Sequence, residues 1–166
     1  MRCPSCAYSN LAGSDECTQC GLTLMQEDTN PEFRLTPSQA RMVTDAISRI
    51  PVRKAVVVHP TAPIRFVVSK MKEADQDCAL MVDRGDVVGI FTERDALKKI
   101  SDPETDLDEM EIRNLMTSMP EVLFESDSIA IAINKMAMGS FRHVPVRRRD
   151  GTFTVISIRD TLEYLF

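Results

Sequence analysis

Histidine is scarce in this chain, with two in 166 residues, and only six glycines are spread along it. There is no nucleophile elbow, no glycine-rich catalytic loop and no ligand set that leaves a metal position open, so no catalytic constellation forms. An enzyme is therefore not expected. Long apolar runs are also missing, and nothing approaches the length needed to span a bilayer. Met1-Arg2-Cys3-Pro4 leaves no room for a signal peptide, which implies a cytoplasmic protein whose thiols stay reduced. An excess of positive charge is lacking too. Twenty Lys and Arg against 25 Asp and Glu give a net charge of −5. This argues against nonspecific binding to nucleic acid or to an anionic membrane by bulk field alone, and a polyanionic ligand would need a local basic pocket. What remains, 43% hydrophobic and 27% charged residues, describes a soluble globular chain with room for one ordinary domain and a small satellite.

Two stretches organise the rest: Gly89-Ile90-Phe91-Thr92-Glu93-Arg94-Asp95 and Thr154-Val155-Ile156-Ser157-Ile158-Arg159-Asp160. Each runs apolar residues into a hydroxyl, two spacers and an Asp, the pattern of a buried strand breaking into a helix. A helix N-terminus presents unpaired N–H groups and favours anions. The hydroxyl can donate to a phosphate, and an ionised Asp can accept from a pair of sugar hydroxyls. The same spacing is also that of a capping box, which stabilises a helix and binds nothing. Repetition of the motif favours the ligand reading.

Four of the five cysteines form two C-x-x-C pairs separated by ten residues, Cys3, Cys6, Cys17 and Cys20. Such pairs hold one metal ion tetrahedrally from two tight turns, helped here by Pro4 and Gly21. Disulfides are the competing reading, disfavoured in a reducing compartment. With four thiolates the site is closed and structural, and the metal supplies roughly 10 kcal/mol or more of folding energy to a piece too short for its own core. Residues 1–24 resemble a short rubredoxin-like zinc ribbon. Ala7 departs from the Gly usual after the second Cys, and the gap between the pairs is short.

Residues 25–40 read as linker and the start of a leading helix. Gln26 to Glu32 is polar, acidic and broken by Pro31. Thr36 is placed to cap a helix whose first residue is Pro37 and whose apolar face is Met42, Ala46, Ile47 and Ile50. A shift of 65 residues then superposes Lys70-Met71 on Lys135-Met136 and Arg94-Asp95 on Arg159-Asp160. Two copies of one unit follow, over 41–105 and 106–166, each reading strand, helix, strand, strand, helix. In the first copy these are Ala55–Val58, Pro63–Glu73 (Ile64, Val67, Val68 and Met71 inward), Cys78–Val82, Val87–Phe91 and Arg94–Ile100. In the second, Glu121–Phe124, Ile129–Met138, His143–Arg147 and Thr152–Ser157 correspond. Hairpins turn at Asp83–Asp86 and at Asp150-Gly151. The acidic stretch Ser101–Glu111 reads as a solvated connector. The fold class is α/β (α+β), with a small ribbon in front.

From about Arg41 to Phe166 the chain resembles a tandem pair of CBS domains, also called a Bateman module. The motifs that carry this are the two hydroxyl-x-x-Asp turns, Leu115-Met116-Thr117 and Val144-Pro145-Val146. The resemblance implies a pseudo-twofold module with two clefts that take AMP, ADP, ATP or S-adenosylmethionine, and pairing of modules into a homodimer. Carried onto this sequence, Asp95 and Thr92 serve ribose and phosphate in one cleft beside Gly89 and Arg94. Asp160 and Ser157 do so in the other, beside Arg159. Thr117 matches the hydroxyl near the adenine, and Arg142 and His143 match cationic phosphate contacts. Thr154 stands where the second motif should have Gly. Asp77-Cys78 stands opposite Arg142-His143, so the clefts are not equivalent, and the one with Asp95 is expected to be better occupied.

Other residues have plainer readings. His59 before Pro60 is a loop residue, Arg147–Arg149 a solvated hairpin tip, and Cys78 an inert core thiol. His143 is read equally as ligand contact or satisfied strand residue. The function expected is regulatory sensing of an adenosyl nucleotide, with the ribbon as an interaction arm. The alternative is a zinc-ribbon adapter for protein or nucleic acid with a purely structural CBS pair, which would need a basic face near Arg2, Arg34 and Arg41.

Overall fold

The computed structural model describes residues 1–11, 14–24, 35–99 and 106–166. The linker expected over Gln26–Glu32, Arg34, Ile100 and the first part of the acidic connector lie outside them. The helices are α1 (Pro37–Thr44), α2 (Ile64–Glu73), α3 (Glu93–Lys99), α4 (Ile129–Gly139) and α5 (Ile158–Leu165). The strands are β1 (Val56–Val58), β2 (Cys78–Asp83), β3 (Asp86–Thr92), β4 (Thr117–Ser118), β5 (Leu123–Phe124), β6 (His143–Arg147) and β7 (Phe153–Ser157). One sheet has the order β1-β2-β3-β4 and the other β5-β6-β7.

Local chemistry explains most boundaries. Thr36 caps α1 through a full capping box with Gln39, and Pro37 sits at the first helical position, where its missing N–H costs nothing. The β2–β3 hairpin turns on Arg84 and Gly85, both at positive φ, which matches the right-handed strand twist. β1 runs parallel to β2, and β2 antiparallel to β3 with Leu80 opposite Ile90. The duplication is visible element by element: Ile64, which starts α2, lies 65 residues before Ile129, which starts α4. Short 3-10 turns at Ile47–Arg49 and Ile112–Asn114 keep the same spacing.

These turns show how the copies interlock. Ile112 N–H donates to Ala62 O at 2.9 Å and Arg113 N–H to Pro60 O at 3.0 Å. Ile47 N–H and Ser48 N–H donate in the same way to Asp127 O and Glu125 O, at 2.8 and 2.9 Å. The lead-in of each copy is therefore hydrogen-bonded to the other copy's loop. Consequently the two compact units cut across the duplicated halves. One comprises Met1–Pro51, Phe124–Arg142 and Ser157–Phe166, and the other Val52–Leu123 and His143–Ile156.

Within the second unit, Ile64, Val67 and Met71 of α2 pack with Ala79, Met81, Phe91 and Ile112. A separate cluster of Cys78, Leu80, Ile90 and Phe153 lies on the other face of β2 and β3, as strand alternation requires. Burying the larger of these side chains contributes about 1.5–3 kcal/mol each. Within the first unit, α1, α4 and α5 pack together. Ser38 Oγ and Arg41 Nη2 donate to Leu165 O at 3.0 and 2.8 Å, satisfying the end of α5.

Two expectations need correction. Val68 was expected inward, yet it is 40% exposed, because the buried stripe of α2 is the narrow set Ile64, Val67 and Met71. The leading helix is also shorter than its apolar pattern suggests. It stops at Thr44, and Ile47 and Ile50 are buried from the 3-10 turn instead.

Candidate functional site

The cysteine knuckles repeat each other bond for bond. Cys3 N–H donates to Tyr8 O and Ala7 N–H to Cys3 O, at 2.8 and 3.0 Å. Cys17 N–H donates to Leu22 O and Gly21 N–H to Cys17 O, at 2.7 and 2.8 Å. The four sulfurs lie within 4.8 Å of one another, with Cys3–Cys20 at 3.7 Å and Cys6–Cys17 at 3.5 Å. Bonds of about 2.3 Å from one tetrahedral ion would set sulfurs about 3.8 Å apart. The set is therefore ready to hold a metal ion. Burial pushes the Cys6 thiol up to about 12. Burial pushes Cys17 the same way, but hydrogen bonds from the Asn10 side chain and the Gln19 and Cys20 amides prevail and bring it to about 6. Asn10 was missed by sequence reasoning. Its Nδ2 donates to Cys17 Sγ at 3.4 Å, and its Oδ1 accepts from Thr18 N–H at 3.0 Å. Nothing local in the sequence marks it, because the contact depends on the second knuckle folding back.

The first hydroxyl-x-x-Asp corner lies wholly in the second unit. Thr92 N–H and Oγ1 both donate to Asp95 Oδ2, at 3.0 and 2.8 Å, while Asp95 N–H donates to Thr92 Oγ1 at 3.4 Å. This is a capping box. Gly89 is buried and pairs with Ser118, and Ile90 pairs with Thr117, so the structure brings Gly89, Thr92, Asp95 and Thr117 to one strand-to-helix corner. A Cβ on Gly89 would lie 2.1 Å from Met116 Sδ, which explains the glycine: Met116 lies across the strand there. Thr117 and Arg94 are exposed.

The second corner, Ser157 and Asp160, lies in the first unit. Ser157 N–H and Oγ donate to Asp160 Oδ2 at 2.7 and 2.6 Å. Among the described residues both bonds fall on Oδ2, which leaves Asp160 Oδ1 to accept other donors. Capping and ligand binding are thus compatible in one carboxylate. Arg142 joins this corner through its carbonyl, which accepts from Ile158 N–H at 3.0 Å, and Arg159 is exposed beside it.

Thr154, the departure from Gly, belongs to the second unit. It is 4% exposed, and its Oγ1 donates to Arg53 O at 2.7 Å. Its bulk therefore ties down the lead-in backbone. His143 Nε2 lies 2.8 Å from Asp77 Oδ2. Arg147 was expected to be solvated. It is half-buried instead, bonded to Asp86 and Gly85 O and stacked 5.1 Å above the Phe153 ring. His59 is a loop residue, its Nδ1 2.6 Å from Thr61 Oγ1.

Comparison with known proteins follows the same lines. The CBS domain family model matches residues 44–102. An uncharacterized 17.7 kDa protein of Acidianus ambivalens is 31% identical over 116 residues, 69% of each chain. A CBS domain-containing protein of Arabidopsis thaliana is 29% identical over 109 residues, 66% of this chain. Those residues span only 20% of the plant protein. Among solved structures, a CBS domain protein from Pyrobaculum aerophilum complexed with AMP is 27% identical with a TM-score of 0.62. That match covers 72% of this chain and 97% of the other. A CBS domain pair in complex with 5-methylthioadenosine and S-adenosyl-L-methionine shares the fold, at 18% identity and a TM-score of 0.62 over 72% of this chain and 94% of that one. Duplicated elements, interlocked lead-ins, two capped β-to-α corners and these likenesses agree: the chain belongs to the CBS-domain family, as a tandem pair behind a small four-cysteine ribbon.

Proposed function

We propose that this protein is a regulatory sensor of an adenosyl nucleotide, AMP, ADP, ATP or S-adenosylmethionine. The observation that carries the reading is the pair of strand-to-helix corners in which an Asp sits beside a hydroxyl and the first helical amides. The relatives complexed with AMP and with S-adenosyl-L-methionine support the ligand class. Asp95 and Asp160 take the ribose hydroxyls. Thr92 and Ser157 serve phosphate, and Thr117 lies toward the base. Arg94, Arg159 and Arg142 supply positive charge in a chain whose net charge is negative, and His143 adds a hydrogen-bonding contact to phosphate. Gly89 leaves room for the Met116 side chain that packs beside the first corner. Zinc at Cys3, Cys6, Cys17 and Cys20 is structural. The ribbon at 1–24, with Tyr8, Leu11 and Leu22 exposed, is the interaction arm ahead of the repeats at 41–105 and 106–166. The chain acts in the cytoplasm as a homodimer, and ligand changes its output only through unequal affinity for two states.

The experiment is calorimetric titration of the zinc-loaded protein with AMP, ATP and S-adenosylmethionine, repeated with Asp95→Ala and Asp95→Asn. Losing the charged acceptor costs roughly 1.5–3 kcal/mol, so either change should weaken binding about ten- to a hundredfold. Only Ala also deletes the capping acceptor, so it alone should lower the melting temperature of the empty protein. No heat and no thermal shift with any of the three ligands at millimolar concentration would remove the sensor reading.

A further inference from the structure

We propose that Asp77, Cys78 and His143 form a second metal site, for a divalent ion of zinc or cobalt type. All three belong to the same compact unit, and one ligand atom from each lies within 4.8 Å of the others. Two of the donors are already set. His143 Nε2 and Asp77 Oδ2 are 2.8 Å apart, close to the roughly 3.3 Å between ligands of one tetrahedral ion with bonds of about 2.0–2.1 Å. The backbone behind them is fixed. Cys78 begins β2 and His143 begins β6, the same position of the two repeats, while Asp77 O accepts from Glu93 N–H at 3.0 Å.

The chemistry of the set narrows the ion. One thiolate, one imidazole and one carboxylate suit a borderline cation. Magnesium and calcium prefer all-oxygen ligands, and copper(I) prefers sulfur. Cys78 is 2% exposed, whereas the side chains of His143 and Asp77 are 16% and 55% exposed. An ion can therefore enter from the Asp77 side and settle against the buried sulfur. Three protein ligands leave a fourth position for water or an added ligand, unlike the closed four-cysteine set. Duplication alone would place like residues at these positions. Divergence has instead put Asp-Cys in one copy and Arg-His in the other. The His143–Asp77 contact accounts for two of the three residues, and the sulfur is the donor that makes them a ligand set. His143 is shared with the nucleotide reading, so the decisive variant is at Cys78, which that reading does not use.

The test is metal stoichiometry on the full chain, reduced and first loaded with one equivalent of zinc. Cobalt(II) is then added and followed by absorption, with both metals counted by elemental analysis after desalting. A second equivalent is expected, with tetrahedral d–d bands and the charge transfer of a single thiolate. Cys78→Ser and His143→Gln should each abolish it while keeping the first zinc, and Asp77→Asn, at the exposed position, should weaken it at least tenfold. A wild-type protein that stops at one metal, or a Cys78→Ser protein that still takes two, overturns the site. Should Cys78→Ser fail to fold, Asp77→Asn and His143→Gln decide, and undiminished uptake in both rejects it.

Discussion

Ala7 and Gly21 hold the same position in the two knuckles, at φ 60 and φ 70. A residue with a Cβ is strained in this left-handed region, where glycine is not. Against the greater freedom of glycine in the unfolded chain, Ala7→Gly should still stabilise the ribbon by about 0.5–1 kcal/mol. Folding and metal binding are one event in so small a piece. The gain should therefore be read as two- to fivefold tighter zinc in a chelator competition, and an unchanged or weaker affinity would show that the Ala7 backbone relaxes without cost. The ligands themselves were legible because their spacing encodes the chemistry. Asn10 was not, since its bond to Cys17 Sγ exists only after the two knuckles meet.

At the scale of elements, helices and strands with strong local signals were readable. Thr36-Pro37 announced α1, and Arg84-Gly85 the hairpin. The 3-10 turns at Ile47 and Ile112 were not, because their amides bond to loops far away in sequence. Capping at both corners was readable as the rival to ligand binding; that one carboxylate can cap its helix and keep an oxygen for a ligand was not. The end of α1 and the end of α5 are joined by another long-range set. Asp45 is held below its usual value of 3.8, first by the Tyr164 hydroxyl that donates to Oδ2 at 2.7 Å, against burial, which raises it. Thr44 and the charges of Arg49 and Arg41 add to the lowering. A carboxyl with a depressed folded-state pKa stabilises fully above its unfolded value and loses that contribution as pH falls through the folded one. Tyr164→Phe should therefore melt below wild type near pH 6, and the gap should narrow as pH falls below 3.8 and through the lower folded-state value of Asp45. A gap that stays constant from pH 7 to pH 2.5 would mean that the tyrosine acts through packing alone.

At the scale of the molecule, the ribbon and the duplicated body are stabilised by different physics. The ribbon's own buried cluster is Cys3, Cys6, Cys17 and Leu24, so its core is the ligand set and little else. The body buries Ile64, Val67, Met81, Phe91 and Ile112 in one cluster and Leu80, Ile90 and Phe153 in another, so apolar packing forms its cores. In the first unit, Ser128 Oγ donates to Pro4 O at 3.0 Å, a tie worth about 1 kcal/mol. Removing zinc with a strong chelator under reducing conditions should then unfold residues 1–24 alone. Hydrogen exchange should show their amides unprotected while those of β2, β3 and α4 stay protected. The main melting transition should move by no more than about 2–4 °C, the shift that 1 kcal/mol produces in a chain of this size. If protection collapses throughout instead, the ribbon is part of the body's cooperative unit, and metal status itself becomes an input to whatever the repeats sense.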